Sequence, residues 1–110
     1  MSGTSMDAAD AALVDFSAGT PRLIATHRTL LTPELRAALL TLCASGANEI
    51  ERMGMLDTQL GEIFADSALA LLKKADVAAA DVQAIGSHGQ TVRHQPGGLY
   101  PFSLQIGNPA

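Results

Sequence analysis

The chain has 110 residues, 47% of them hydrophobic, which is enough apolar material for one ordinary domain and sets it apart from disordered sequences. Its formal net charge is -4, and the seven Lys and Arg are scattered from Arg22 to Arg93 rather than gathered into a stripe. With only three Phe, one Tyr and no Trp besides, both the electrostatic footprint and the stacking platform of a nucleic-acid binder are excluded.

The first ten residues, "MSGTSMDAAD", are polar and glycine-led, and the short apolar run Ala11 to Phe16 follows them. That run and "TPRLIATHRTLL" are spaced as a β-hairpin, with Gly19 and Pro21 in the turn and Leu23, Ala25 and His27 on one alternating face. Thr32-Pro33-Glu34 is a helix start: threonine caps free N–H groups, and proline at the first helical position lacks one anyway. Leu35, Leu39 and Leu42 then repeat at helical spacing until "ASGAN", where Gly46 is a terminator.

Asn48 and Glu51 have the spacing of a capping box, and Met53, Met55, Leu56, Leu60, Ile63, Phe64, Leu71 and Leu72 predict one long amphipathic helix with an apolar core face. It should end near Lys73 and Lys74, whose charges suit a helix C-terminus. Gly54 and Gly61 each weaken it by up to about 1 kcal/mol unless something packs closely there. Beyond a turn over Val77 to Val82, "VQAIGSHGQTV" reads as a strand running into a glycine-rich loop at His88 and Gly89. "RHQPGGLYP" reads as a turn-rich connection, and "FSLQIG" as a strand of period two. Helices lying between strands in this order make a mixed α/β layer structure.

Cys43, the single cysteine, sits in an apolar helical run and reads as an inert buried thiol; no disulfide framework is possible. No apolar run approaches the roughly 20 residues that span a bilayer, and the N-terminus lacks the basic-then-apolar order of a signal peptide. A cytoplasmic protein without membrane or nucleic-acid partners is expected.

Two stretches have the residue types for chemistry. In "GTSMDAAD", Gly3 permits close backbone approach, Thr4 and Ser5 add hydroxyl donors to the backbone N–H groups, and Asp7 and Asp10 supply acceptors. Such a set suits phosphates accompanied by a divalent cation, although on residue types alone the plain polar turn is the favoured reading of the stretch. In "GSHGQTVRH", Gly86 and Gly89 flank His88 at a strand end, where α/β proteins place ligand contacts. Gln90 and Thr91 can read hydroxyls or an amide, and His88 can donate a hydrogen bond or move a proton, or simply fix its loop. A zinc pair of His88 and His94 lacks a third ligand at sensible spacing, and Ser87 lacks the surroundings of a nucleophile elbow.

Taken in order, "MSGTSMDAADAALVDF", "GSHGQTVRHQP" and "FSLQIGNPA" resemble the N-terminal part of the anhydro-N-acetylmuramic acid kinases. The resemblance spans essentially the whole chain. It implies a two-domain sugar kinase of the actin-like ATPase superfamily, with ribonuclease H-like layers and an active site in the cleft between domains. Members use ATP, Mg²⁺ and water to open the 1,6-anhydro ring and phosphorylate the 6-oxygen of the sugar, in cell-wall recycling; a homodimer of the full-length protein is compatible with this.

By the same resemblance the ATP-binding loop is Gly3, Thr4, Ser5, Met6, Asp7, Ala8, Ala9 and Asp10, and the segment beside the sugar is His88, Gly89, Gln90 and Thr91. Ala8 stands where the family has glycine in "GTSxDGxD", and a Cβ there would be strained if the backbone were left-handed. The chain is expected to be an incomplete first domain. The strand leading into Gly3, the general-base aspartate beyond Ala110 and the second domain are all expected outside it, and no turnover is expected from this chain alone. The competing expectation is a non-catalytic, truncated nucleotide- or partner-binding module.

Overall fold

The structure, a computed structural model, describes residues 6–110. The predicted hairpin is present: β1 (Ala8–Asp15) and β2 (Arg22–Leu30) pair antiparallel, with Gly19 at φ +84° in the turn. β1 begins three residues before the apolar run that announced it, because Ala8, Ala9 and Asp10 find partners in Leu30, Thr29 and Arg28. A bulge at Ile24, between the pairs Leu13–Ala25 and Val14–Leu23, interrupts the alternation. The half-buried face of β2 is therefore Ala25, His27 and Thr29, while Leu23 is 61% exposed.

Thr32 caps α1 (Pro33–Leu42) as its sequence predicts: its hydroxyl accepts from the Leu35 N–H at 3.2 Å, and Pro33 occupies the first turn. Cys43 is the C-cap residue and is exposed, contrary to the buried site expected. Its thiol donates to the Leu39 carbonyl at 3.3 Å, and partial burial pushes the thiol pKa up against the opposing charge of Arg93.

α2 (Glu49–Ala75) is the long helix, and its buried positions Leu56, Leu60, Ser67 and Leu71 follow the helical period. The capping box does not form. Asn48 is left-handed (φ +55°) and its side chain caps nothing; Glu49 accepts from the Gly46 N–H at 2.9 Å, and Arg52 Nε donates to the Ala47 carbonyl at 2.8 Å. Met55, placed by periodicity among the core residues, is 67% exposed, whereas Leu56 is buried and Met53 and Phe64 pack against the core. At the C-terminal end the Lys74 ammonium donates to the Thr26 carbonyl of β2 at 2.9 Å. No helix among the described residues is long and apolar enough to cross a membrane.

After a 3₁₀ turn at Ala79–Asp81, residues 82–89 form no strand, so the strand expected in "VQAIG" is absent. The second hairpin starts later: β3 (Gln90–Gln95) pairs antiparallel with β4 (Phe102–Ile106), and residues 96–101 make the connection. A strand forms where a partner edge exists. Gln90–Gln95 finds one in β4, whereas residues 84–89 face β1 across an open cleft. A bulge at Val92 lets that residue, 3% exposed, join the core of Met6, Leu31, Leu39, Leu42, Leu56, Leu60 and Ile106.

Arg93 ties β3 to the helices. Its Nε donates to the Leu42 carbonyl at the end of α1 (3.2 Å), and its other guanidinium edge pairs with Glu49 at the start of α2. The hydrogen bond from Arg93, and after it that from the Gly46 N–H, hold the Glu49 carboxyl below the usual glutamate range. A carboxylate whose folded pKa is depressed stabilises the fold at neutral pH and loses that contribution as pH falls through the folded value. Glu49→Gln is therefore expected to lower the urea midpoint at pH 7, and the gap to the parent chain should close as pH falls below the ordinary glutamate range.

The two helical glycines separate cleanly. A Cβ on Gly54 meets nothing within 4 Å, whereas on Gly61 it would lie 2.6 Å from the Asn108 carbonyl oxygen. Gly54→Ala should stabilise the chain by about 0.5–1 kcal/mol through helix propensity, and Gly61→Ala should destabilise it because backbone must move. Paired thermal melts of the two variants check the opposite signs.

Candidate functional site

Of the loop expected to hold nucleotide, Gly3, Thr4 and Ser5 lie outside the described residues, and Met6 to Asp10 can be placed. Met6 is left-handed at φ +54° and only 4% exposed, its side chain packed in the core. A non-glycine residue in that region costs about 1–2 kcal/mol. Burial of the thioether holds it there, so Met6 anchors the loop from beneath and presents no side chain to a ligand. Asp7 extends this anchor, its carbonyl accepting from the Leu31 N–H at 3.0 Å.

Ala8, Ala9 and Asp10 are strand rather than loop. Ala8 is paired with Leu30 and is not among the described residues with positive φ, so its methyl group meets no backbone penalty. The left-handed residue is Met6, two positions earlier.

Both aspartates are already engaged. Asp10 takes a two-pronged pair from Arg28, directly opposite on β2: Nε to Oδ1 at 2.8 Å and the second nitrogen to Oδ2 at 3.1 Å. The Arg28 hydrogen bond holds the Asp10 carboxyl below its ordinary value and raises that of Arg28 in return. Asp7 meets Arg36 of α1, Oδ1 to Nε at 3.1 Å. Among the described residues no three His, Cys, Asp or Glu side chains come together as a cation site requires. Asp7 and Asp10, each beside an arginine, do not make a Mg²⁺ site by themselves.

The second segment is divided by its environment. His88 is exposed and Gly89 half-buried, at φ +71°. Gln90 is 3% exposed; its amide nitrogen donates to the Thr91 carbonyl at 3.0 Å, while its Oε1 is buried without a partner among the described residues. An acceptor left unsatisfied in this way costs about 1–3 kcal/mol, which marks Gln90 as a residue not selected for packing alone. The Thr91 hydroxyl accepts from the Gln105 side chain on β4 at 3.2 Å. His94 lies away from this group and bonds Ser103 across the β3–β4 ladder at 2.7 Å.

Parts of the two segments meet in one cleft of about 350 Å³: Ala9 and Asp10 of the first and His88 and Gly89 of the second line it, whereas Met6, Asp7, Ala8, Gln90 and Thr91 do not. One wall is the outer edge of β1 from Ala9 to Leu13, the floor is the Phe64–Leu72 face of α2, and the opposite wall is residues 84–89. Ala9 and Asp10 thus face His88 and Gly89. Most of the lining is apolar; the polar side chains are Asp10, Ser67, Ser87 and His88, and Ser67 is already bonded to Thr29 at 3.1 Å.

A family model described as anhydro-N-acetylmuramic acid kinase matches residues 1–110. The chain belongs to the anhydro-N-acetylmuramic acid kinase family. Proteins carrying that name in Shewanella frigidimarina (strain NCIMB 400) and Shewanella sp. (strain ANA-3) are 53% and 52% identical to it over 109 residues. A third, from Shewanella denitrificans, is 51% identical over the same length. In each case the match takes in 99% of this chain and 30% of the relative, so the chain spans under a third of the curated relatives it matches.

The sequence reading missed the arginine partners of the loop. Arg28 was legible in hindsight: once the turn of the hairpin is fixed, antiparallel register places it opposite Asp10. Arg36 depends on how α1 packs, and no local pattern announces it.

A regular strand at Ala8 makes a direct forecast. Ala8→Gly should cost about 0.5–1 kcal/mol of stability, as glycine does inside a strand, rather than relieve strain. A rise in melting temperature would show that the methyl group is crowded.

Proposed function

We propose that this chain is the N-terminal part of the first domain of an ATP-dependent kinase with the actin-like ATPase fold. In this reading water attacks the anomeric carbon of anhydro-N-acetylmuramic acid, the C1–O6 bond breaks, and the freed 6-oxygen takes the γ-phosphoryl group as ADP leaves. The observation that carries the proposal is the family match across all 110 residues. Phosphoryl transfer depends on positioning and charge stabilisation by several groups at once, and a cleft lined by Ala9 and Asp10 of one segment and His88 and Gly89 of the other is compatible with that work.

The backbone of residues 3–10 is the nucleotide-side element, anchored by buried Met6. His88, Gly89, Gln90 and Thr91 are the sugar-side element, with His88 exposed to a polar ligand and Gln90 carrying an unused acceptor. ATP supplies the phosphoryl group; Mg²⁺ accompanies it on its phosphates, and no step is assigned to the metal through Asp7 or Asp10. The general base and the second domain belong to protein outside this chain, and the whole is cytoplasmic.

Surface exposure supports an incomplete domain. The chain exposes 7647 Å², whereas a compact monomer of its length is expected to expose roughly 5,800 Å². Its radius of gyration is 15.8 Å against about 13 Å for a compact domain. Ile85, Leu99, Tyr100 and Phe102 are each more than half exposed, as residues that meet further protein would be.

The test is an assay of the full-length protein carrying this chain, with ATP, Mg²⁺ and anhydro-N-acetylmuramic acid. Sugar 6-phosphate should form with one ADP per sugar. The 110-residue chain by itself should give none, since the groups for transfer are incomplete. A full-length protein that forms no sugar phosphate under these conditions overturns the kinase reading and favours a non-catalytic binding module.

A further inference from the structure

Past β4 the chain threads between α2 and the His88 loop at a junction that only glycines permit. A Cβ on Gly61 would come within 2.6 Å of the Asn108 carbonyl oxygen, one on Gly107 within 2.6 Å of Phe64 Cε2, and one on Gly89 within 2.5 Å of the Ile106 carbonyl oxygen. Gly89 (φ +71°) and Gly107 (φ +123°) are both in backbone regions that L side chains avoid. The Gly89 Cα lies 3.6 Å from the point where a Gly107 Cβ would be. Gly107 and Gly89 are therefore close neighbours at this junction, and Gly89 is flanked in sequence by His88 on one side and Gln90 on the other.

Asp57 is the residue bonded to the Gly107 N–H among the described residues. Asp57 of α2 accepts the Gly107 N–H on Oδ1 at 2.8 Å, and its main-chain carbonyl accepts the Asn108 N–H at 3.1 Å. A carboxylate accepting a backbone N–H is among the stronger hydrogen bonds available to a loop. Asp57 itself is absent from the cleft lining, so it acts on the cleft only through this junction.

We propose that Asp57 is a positioning residue for the sugar-side segment: by fixing Gly107 against Gly61 and Gly89 it sets the placement of His88, Gln90 and Thr91 toward the sugar. The assignment rests on the kinase reading for its catalytic consequence and on the hydrogen bonds for its structural one. Misplacement by about 1 Å can cost as much as about a hundredfold in rate, and a partial shift of a binding segment should cost less.

Asp57→Ala in the full-length protein should raise KM for the anhydro sugar about tenfold while KM for ATP stays within about twofold. Asp57→Asn, which keeps an acceptor oxygen in place, should restore most of the loss. If Asp57→Ala does not fold, Asp57→Glu carries the test, since it keeps the charge but moves the acceptor by one methylene. In parallel, amide spectra of the full-length protein should show the Gly107 N–H of the Ala or Glu variant exchanging faster and the His88 and Gly89 amides shifted. Unchanged sugar KM in a folded variant, equal effects on both substrates, or unmoved His88 and Gly89 amides would overturn the proposal. Should no protein turn over the sugar, parent included, the kinase reading fails and the amide spectra still decide the role of Asp57.

Discussion

Both hairpins depend on a single stripe of α2. β1–β2 and β3–β4 are separate two-stranded sheets, and two-stranded hairpins are marginal alone in water. What joins them is the helix: Leu56 and Leu60 pack into the core with Val92 and Ile106 of the second hairpin, while further along Ser67 bonds Thr29 and Lys74 bonds the Thr26 carbonyl of the first. Leu60 is fully buried. The cleft exists because the helix holds two strand systems apart as much as together, with β1 keeping an outer edge to which no described strand is bonded.

The charged groups of the site are arranged as neutral pairs rather than as a free acidic cluster. Arg28 beside Asp10 and Arg36 beside Asp7 place cationic groups next to residues 7–10, the segment proposed to face nucleotide. An anion approaching that element meets arginine as well as carboxylate, so repulsion from the two aspartates is largely cancelled at close range.

Much of the fold was legible because local chemistry and tertiary packing agree. Thr32-Pro33 capped α1 where it should, and the periodic leucines marked α2 across its length. The failures fall where tertiary partners decide. "VQAIG" has strand composition and no edge to pair with, Cys43 has apolar neighbours in sequence and solvent in space, and Asn48 gave way to Glu49 and Arg52 as the group closing the α1–α2 connection. At the site, the two segments were legible as residue types and their facing each other across one cleft was not, because that placement is made by α2 and the glycine junction. Gly61 is the intermediate case: its cost to the helix was visible, and the chain that comes close enough to require it was not.

The bulge at Ile24 divides the first hairpin into lengths of unequal stiffness. On the near side, Ala25, His27 and Thr29 face inward and two side-chain bonds from α2 clamp the strand. On the far side, Phe16 and Leu23 are mostly exposed, and the chief local ties are the Asp15 contacts with Ser17 and Arg22. The tip thus has fewer ties to the helix than the base that carries Ala9 and Asp10, and the bulge, paired beside Leu13 of the cleft wall, is where the two lengths meet.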